Sequence, residues 1–123
     1  MSTSDPTTLA VYGIPNCDTV KKARAALAEL GWTIAFHDYK KAGVPQERLA
    51  AWMAALGWEA LLNRQGTTWK KADASTQATV VDVASASAFL QAHPSAIRRP
   101  VIEWPSGEIT VGHAPQTWPK AGG

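Results

Sequence analysis

The stretch from Leu9 to Tyr39 constrains the fold of this chain more than any other. Leu9-Ala10-Val11-Tyr12 is rich in β-forming residues and closes on the turn sequence Gly13-Ile14-Pro15-Asn16. Between Asp18 and Leu30 the apolar residues Val20, Ala23, Leu27 and Leu30 recur at helical spacing. Lys21, Lys22, Arg24 and Glu29 fill the other face, and Gly31 supplies a stop. Trp32 to Tyr39 returns to aromatic and β-branched residues. A strand that follows a helix this closely predicts a right-handed parallel strand–helix–strand unit, the core of an α/β fold.

The rest of the chain is read around that unit. Pro45, with Glu47 in the first turn, opens a second helix whose Leu49, Trp52, Met53 and Leu56 form one apolar stripe, with Gly57 behind it as its C′ residue. Trp58 to Leu62 reads as a further short helical turn, Gly66 to Ala74 as a loop, and Ser75 to His93 as a helix broken near Asp82 and ended by Pro94. Val101-Ile102-Glu103-Trp104 and Glu108-Ile109-Thr110-Val111 flank Pro105-Ser106-Gly107 as a β-hairpin. The expected order is therefore β-α-β, then helices, then a β-hairpin. A chain of 123 residues can bury roughly two thirds of its unfolded surface around one core. One domain is expected over 9–118, with flexible ends at 1–8 and 119–123 and a frayed tail from His113 that holds a short helical turn.

Composition excludes several function classes. With 46% hydrophobic and 18% charged residues the chain is an ordinary globular one rather than a disordered one. A net charge of only +2, without a clustered basic stripe, argues against a nucleic-acid partner. No run of about 18 apolar residues occurs, and the start MSTSDPTT lacks the basic and apolar regions of a secretory signal, so the expectation is a cytoplasmic protein with no membrane partner. The histidines at 37, 93 and 113 lack the spacing of a metal site, so no metal is expected, and the six tryptophans read as packing residues. Gly66-Thr67-Thr68 lacks the spacing of a phosphate-binding loop.

The candidate chemistry centres on the single cysteine, Cys17. It directly follows a strand and turn and stands at the mouth of a helix, where free N–H groups and the helix dipole favour an anion. Since the thiolate is the reactive form, that position favours a nucleophile; a buried, inert cysteine is the alternative. Asp18 opposes the thiolate and repels anionic substrates. Val20 stands where a Cys-X-X-Cys motif would carry its second thiol, so any redox cycle must borrow a thiol from elsewhere. Lys21, Lys22 and Arg24 read as the wet face of the helix, with a field that could draw in an anionic thiol.

Four stretches then carry a resemblance. They are Tyr12-Gly13-Ile14-Pro15-Asn16-Cys17-Asp18-Thr19-Val20-Lys21-Lys22-Ala23, Phe36-His37-Asp38-Tyr39-Lys40, Gly57 to Arg64 with Gly66 to Lys71, and Pro94-Ser95-Ala96-Ile97-Arg98-Arg99-Pro100-Val101. In this order, from about residue 9 to residue 112, the chain resembles the ArsC (arsenate reductase-like) family, in particular its YffB-like branch. The resemblance implies a thioredoxin-like mixed sheet with a helical insertion, a nucleophile at Cys17, and arginines that hold an oxyanion or a glutathione adduct. Arg99 matches the family's Arg-Pro pair, for which the resemblance implies a cis peptide that aims Arg99 at Cys17. Arg64 is offset by a residue from the position in arsenate reductases, and Val111-Gly112-His113 occupies the region of the third family arginine.

On this reading Cys17 and Arg99 are the candidate catalytic residues, and Asn16, Thr19, Arg64 and Arg98 are candidate substrate-binding residues. Asn16 shapes the turn or contacts substrate, and Thr19 offers a hydroxyl to the thiolate, although both suit capping roles; Arg98 equally suits a solvated face. The implied activity is a glutathione-dependent thiol reductase with no tightly bound cofactor. Glutathione is the expected cosubstrate, and glutaredoxin or a disulfide-containing substrate is a further partner. The alternatives are arsenate reduction coupled to glutathione and glutaredoxin, and a non-catalytic role like that of the related Spx regulators, which bind RNA polymerase.

Overall fold

A computed structural model describes residues 7–121, which form two compact units: one from the residues up to Asp38 together with those from Arg99 onward, the other from Tyr39 to Arg98. The ends read as flexible lie partly outside the described residues, at 1–6 and 122–123.

The first unit is a mixed α/β layer. Strand β1 (Thr8–Gly13), helix α1 (Asp18–Glu29) and strand β2 (Thr33–Asp38) make the expected crossover, with β1 and β2 parallel from Thr8 opposite Thr33 to Gly13 opposite Asp38. Strands β3 (Val101–Glu103) and β4 (Ile109–Val111) form the hairpin, each one residue shorter than the sequence suggests at the turn end. Because β3 runs antiparallel to β1, with Val101 opposite Tyr12, the sheet order is β2-β1-β3-β4.

Alternation sets the two faces of this sheet. Leu9 and Val11 point one way and bury against Ala23 and Leu27 of α1, with Ile102, Trp104 and Trp118 completing the cluster. On the opposite face the Tyr12 ring stacks on His37 at 4.6 Å, and its hydroxyl donates to Glu103 Oε1 at 3.4 Å. Helix α1 stops where the sequence predicts, because Gly31 adopts φ +92 and closes a paired cap. Trp32 N–H donates to Leu27 O at 3.1 Å and Gly31 N–H to Ala28 O at 3.0 Å.

The tail departs from its expected fraying. A 3₁₀ turn at Pro115–Thr117 leads to Trp118, which is buried in the cluster; Trp32 Nε1 donates to Pro119 O at 2.8 Å and Ala121 N–H to Leu30 O at 2.8 Å. A large indole that reaches the core outweighs the Pro- and Gly-rich composition around it.

The second unit is the helical insertion. It holds α2 (Tyr39–Ala42), α3 (Gln46–Leu56), α4 (Trp58–Leu61), α5 (Thr67–Lys71), α6 (Ala74–Thr79) and α7 (Val83–Ala92), then a 3₁₀ turn at Pro94–Ala96. The expected stripe buries Leu49, Trp52 and Met53 of α3. The break near Asp82 is a capping box: Ser85 N–H donates to Asp82 Oδ1 at 2.9 Å while Asp82 N–H donates to Ser85 Oγ at 3.1 Å. Two helices are additions to the sequence reading. Helix α5 lies in the segment read as a loop, since the β-branched pair Thr67-Thr68 weakens its propensity. Helix α2 occupies the end of the segment read as strand, where Tyr39 is buried. Leu61–Asn63 and Ala96–Arg98 run side by side: Asn63 N–H donates to Ala96 O and Arg98 N–H to Leu61 O, both at 2.8 Å.

Leu27→Ala is expected to lower unfolding free energy by about 2–5 kcal/mol in urea titration. Val81→Ala, at a 67% exposed position, should change it by less than about 0.5 kcal/mol. Equal losses at the two sites would contradict this placement of the core.

Candidate active site at the N-terminus of the first helix

The sheet topology brings two sequence-distant residues to one end of the sheet. β1 exits at Gly13 and its chain turns through Ile14-Pro15-Asn16 into α1, while β3, antiparallel to it, enters at Val101 opposite Tyr12. The segments that carry Cys17 and Arg99 therefore leave the same end of the sheet. The Arg99–Pro100 peptide is cis, and Gly112 N–H donates to Pro100 O at 3.0 Å, which ties this segment to β4.

Cys17 is the N-cap of α1, with extended backbone (φ −141, ψ 123), and its carbonyl accepts the first helical bond from Lys21 N–H at 2.9 Å. Its side chain is half-buried. Burial pushes the thiol up, but the Val20 N–H, the hydrogen bond and charge of the Arg99 guanidinium, and the Thr19 N–H together outweigh it. The thiol is consequently held below its ordinary range. The sulfur makes no capping hydrogen bond of standard geometry, so the two N–H groups act as dipoles aimed at a charge. Arg99 is half-buried with its Nε fully buried, and its charge therefore acts on the sulfur through less water than an exposed arginine's would.

The remaining candidates divide by unit. Asn16 and Thr19 lie exposed beside Cys17, and the Thr19 group that acts on the sulfur is its backbone N–H, whereas the sequence points to its hydroxyl. Arg64 and Arg98 belong to the helical unit and are exposed; Arg64 lays its guanidinium over the Trp58 ring at 5.7 Å. Arg24, read as a wet-face residue, sits over Phe36 at 4.3 Å. His37, His93 and His113 each pack on an aromatic ring, of Tyr12, Phe89 and Trp118 respectively. Among the described residues no cluster of His, Cys, Asp or Glu could hold a metal ion, and no helix is long and apolar enough to cross a membrane.

Sequence reasoning missed two contributors. Val20 supplies the N–H that most favours the thiolate, and N-cap spacing alone could have flagged it, since the third helical residue donates to a capping side chain. Gly13 is the other. It is buried, and a Cβ there would stand 3.0 Å from Val20 Cγ2 and 3.8 Å from Phe36 Cε1, so its bareness lets the helix mouth approach the strand end.

A model of the ArsC family matches residues 12–121. A solved YffB protein is 44% identical with a TM-score of 0.81, covering 88% of this chain and 93% of its own. The solution structure of an arsenate reductase (ArsC) related protein from Brucella melitensis is 44% identical with a TM-score of 0.71, covering 89% of each chain. An uncharacterized protein of Haemophilus influenzae is 37% identical over 94 residues, or 76% of this chain and 82% of its own length.

Gly13→Ala is expected to push Val20 and its N–H away from the sulfur and raise the Cys17 pKa. Below that pKa the thiol is protonated and unreactive, so the pH midpoint of iodoacetamide alkylation should move up. A folded variant with an unmoved midpoint would remove Gly13 from this role.

Proposed function

The chain belongs to the ArsC family, and from that premise we propose that it is a glutathione-dependent thiol reductase acting through Cys17. The observation that carries this reading is a half-buried thiol held below its ordinary pKa by helix N–H groups and by Arg99. A thiolate at neutral pH is the species that exchanges with disulfides.

In the proposed cycle the Cys17 thiolate attacks the glutathione sulfur of a mixed disulfide. The substrate S–S bond breaks, a Cys17–glutathione disulfide forms, and the substrate leaves as a thiolate. A second glutathione thiolate attacks the glutathionyl sulfur on Cys17, releasing oxidised glutathione and regenerating the Cys17 thiolate. The proton lost by that glutathione ends on the departed substrate thiol. The net reaction consumes one glutathione and reduces one substrate sulfur. A monothiol suffices for both steps, which accords with Val20 in place of a second cysteine. Arg99 stabilises the attacking thiolate and the charge passed between sulfurs. Asn16 and Thr19, exposed beside Cys17, border the approach of substrate.

Arsenate is the second reading, favoured by similarity to the arsenate reductase (ArsC) related protein of Brucella melitensis. Asp18 in the first turn and the arginine-free Val111-Gly112-His113 place it behind disulfide exchange.

Incubation with a glutathione mixed disulfide should leave one glutathionyl group on Cys17 by peptide mass spectrometry. Cys17→Ser should lose both the adduct and glutathione-coupled turnover, and Arg99→Ala should lower kcat by about 100-fold. Turnover that survives Cys17→Ser would overturn the reading.

A further inference from the structure

The helical unit contains a cavity of about 430 Å³ lined by Thr68 and Lys71 of α5, by Ala72, by Thr76 of α6, by Phe89 of α7, and by His93 at the end of that helix. That volume falls within the range of roughly 300–1,000 Å³ typical of small-molecule sites. Its walls are held in place. Trp69 meets the Phe89 ring edge-on at 5.4 Å and 89°, and the His93 ring packs on the same Phe89 at 4.7 Å. Gln77 Nε2 donates to Trp69 O at 2.9 Å and so ties α6 to α5.

The lining has a definite chemical character. Lys71 brings an ammonium, His93 an imidazole and Thr68 a hydroxyl, whereas Phe89 and Ala72 supply apolar surface. Among the described residues no carboxylate lines the cavity. Asp73, next in sequence to Ala72, is committed to the N-cap of α6, where it accepts from Thr76 N–H at 2.8 Å and from Ser75 Oγ at 2.9 Å. An ammonium and an aromatic ring in one lining, with no acid among the described residues that form it, select an anion that carries an apolar body.

We propose that this cavity binds a small aromatic monocarboxylate, its carboxylate on Lys71 and His93 and its ring against Phe89. The apolar lining disfavours a bare inorganic anion, which would gain the charge contact but leave apolar surface uncovered. The absence of acidic lining gives a cationic ligand no counter-charge.

The test is an ¹⁵N amide shift titration of the full chain with benzoate, alongside benzyl alcohol as the uncharged ring and inorganic phosphate as the ring-free anion. Saturable benzoate shifts should be confined to α5, α6, α7 and the residues joining them. Benzyl alcohol, phosphate, and benzoate with the Lys71→Gln variant should each bind at least about tenfold more weakly, as loss of one charged hydrogen bond or of the ring contact requires. Lys70→Gln, at an exposed neighbour outside the lining, should bind benzoate as the parent does. Equal affinity for either control ligand, equal losses in the Lys70 and Lys71 variants, shifts spread over the sheet, or no saturable shift would each overturn the proposal.

Discussion

The antiparallel pairing of β3 with β1 is the constraint on which the candidate site depends. It sets the entry of one strand beside the exit of the other, Val101 opposite Tyr12, so that residues 82 positions apart in sequence, Cys17 and Arg99, act on one another. Everything that fixes this pairing also fixes the site. The apolar cluster of Leu9, Val11, Ala23, Leu27, Ile102, Trp104 and Trp118 joins α1, both strands and the tail into one packed layer. The position of the sulfur relative to the guanidinium is therefore set by packing over the whole first unit rather than by the loops alone.

At the sulfur itself two physical effects compete. Partial burial disfavours the thiolate, and dipoles with one cation favour it; the second side prevails. Burial contributes to both sides of this balance. A fully exposed sulfur would lose most of the benefit of Arg99 to solvent screening, and a fully buried one would be inaccessible to a disulfide. An intermediate exposure combines a perturbed thiol with an open approach, which is the combination that disulfide exchange needs.

Much of this was legible in the sequence because its signals are periodic or local. The α1 stripe of Val20, Ala23 and Leu27, the Gly31 stop and the Gly-containing hairpin each follow from spacing, and the structure carries all three. Helices α2 and α5, of four and five residues, are too short to display a period, and tertiary contacts such as that of Trp69 with Phe89 hold α5 against its weak propensity. Trp118 illustrates the same limit: nothing near it in sequence announces burial in a core that includes Leu9 and Val11, about a hundred residues away. In the site, Cys17 and Arg99 were legible from motif, whereas Gly13 depended on the closeness of a strand end to a helix, a distance that no one-dimensional pattern encodes.

The measurement that bears most directly on the central claim is the pH dependence of Cys17 alkylation in the parent chain and in Arg99→Ala. The account predicts a parent midpoint below the unperturbed thiol value of about 8.5 and an upward move when Arg99 is removed. A midpoint at or above that value, or one indifferent to Arg99, would contradict it.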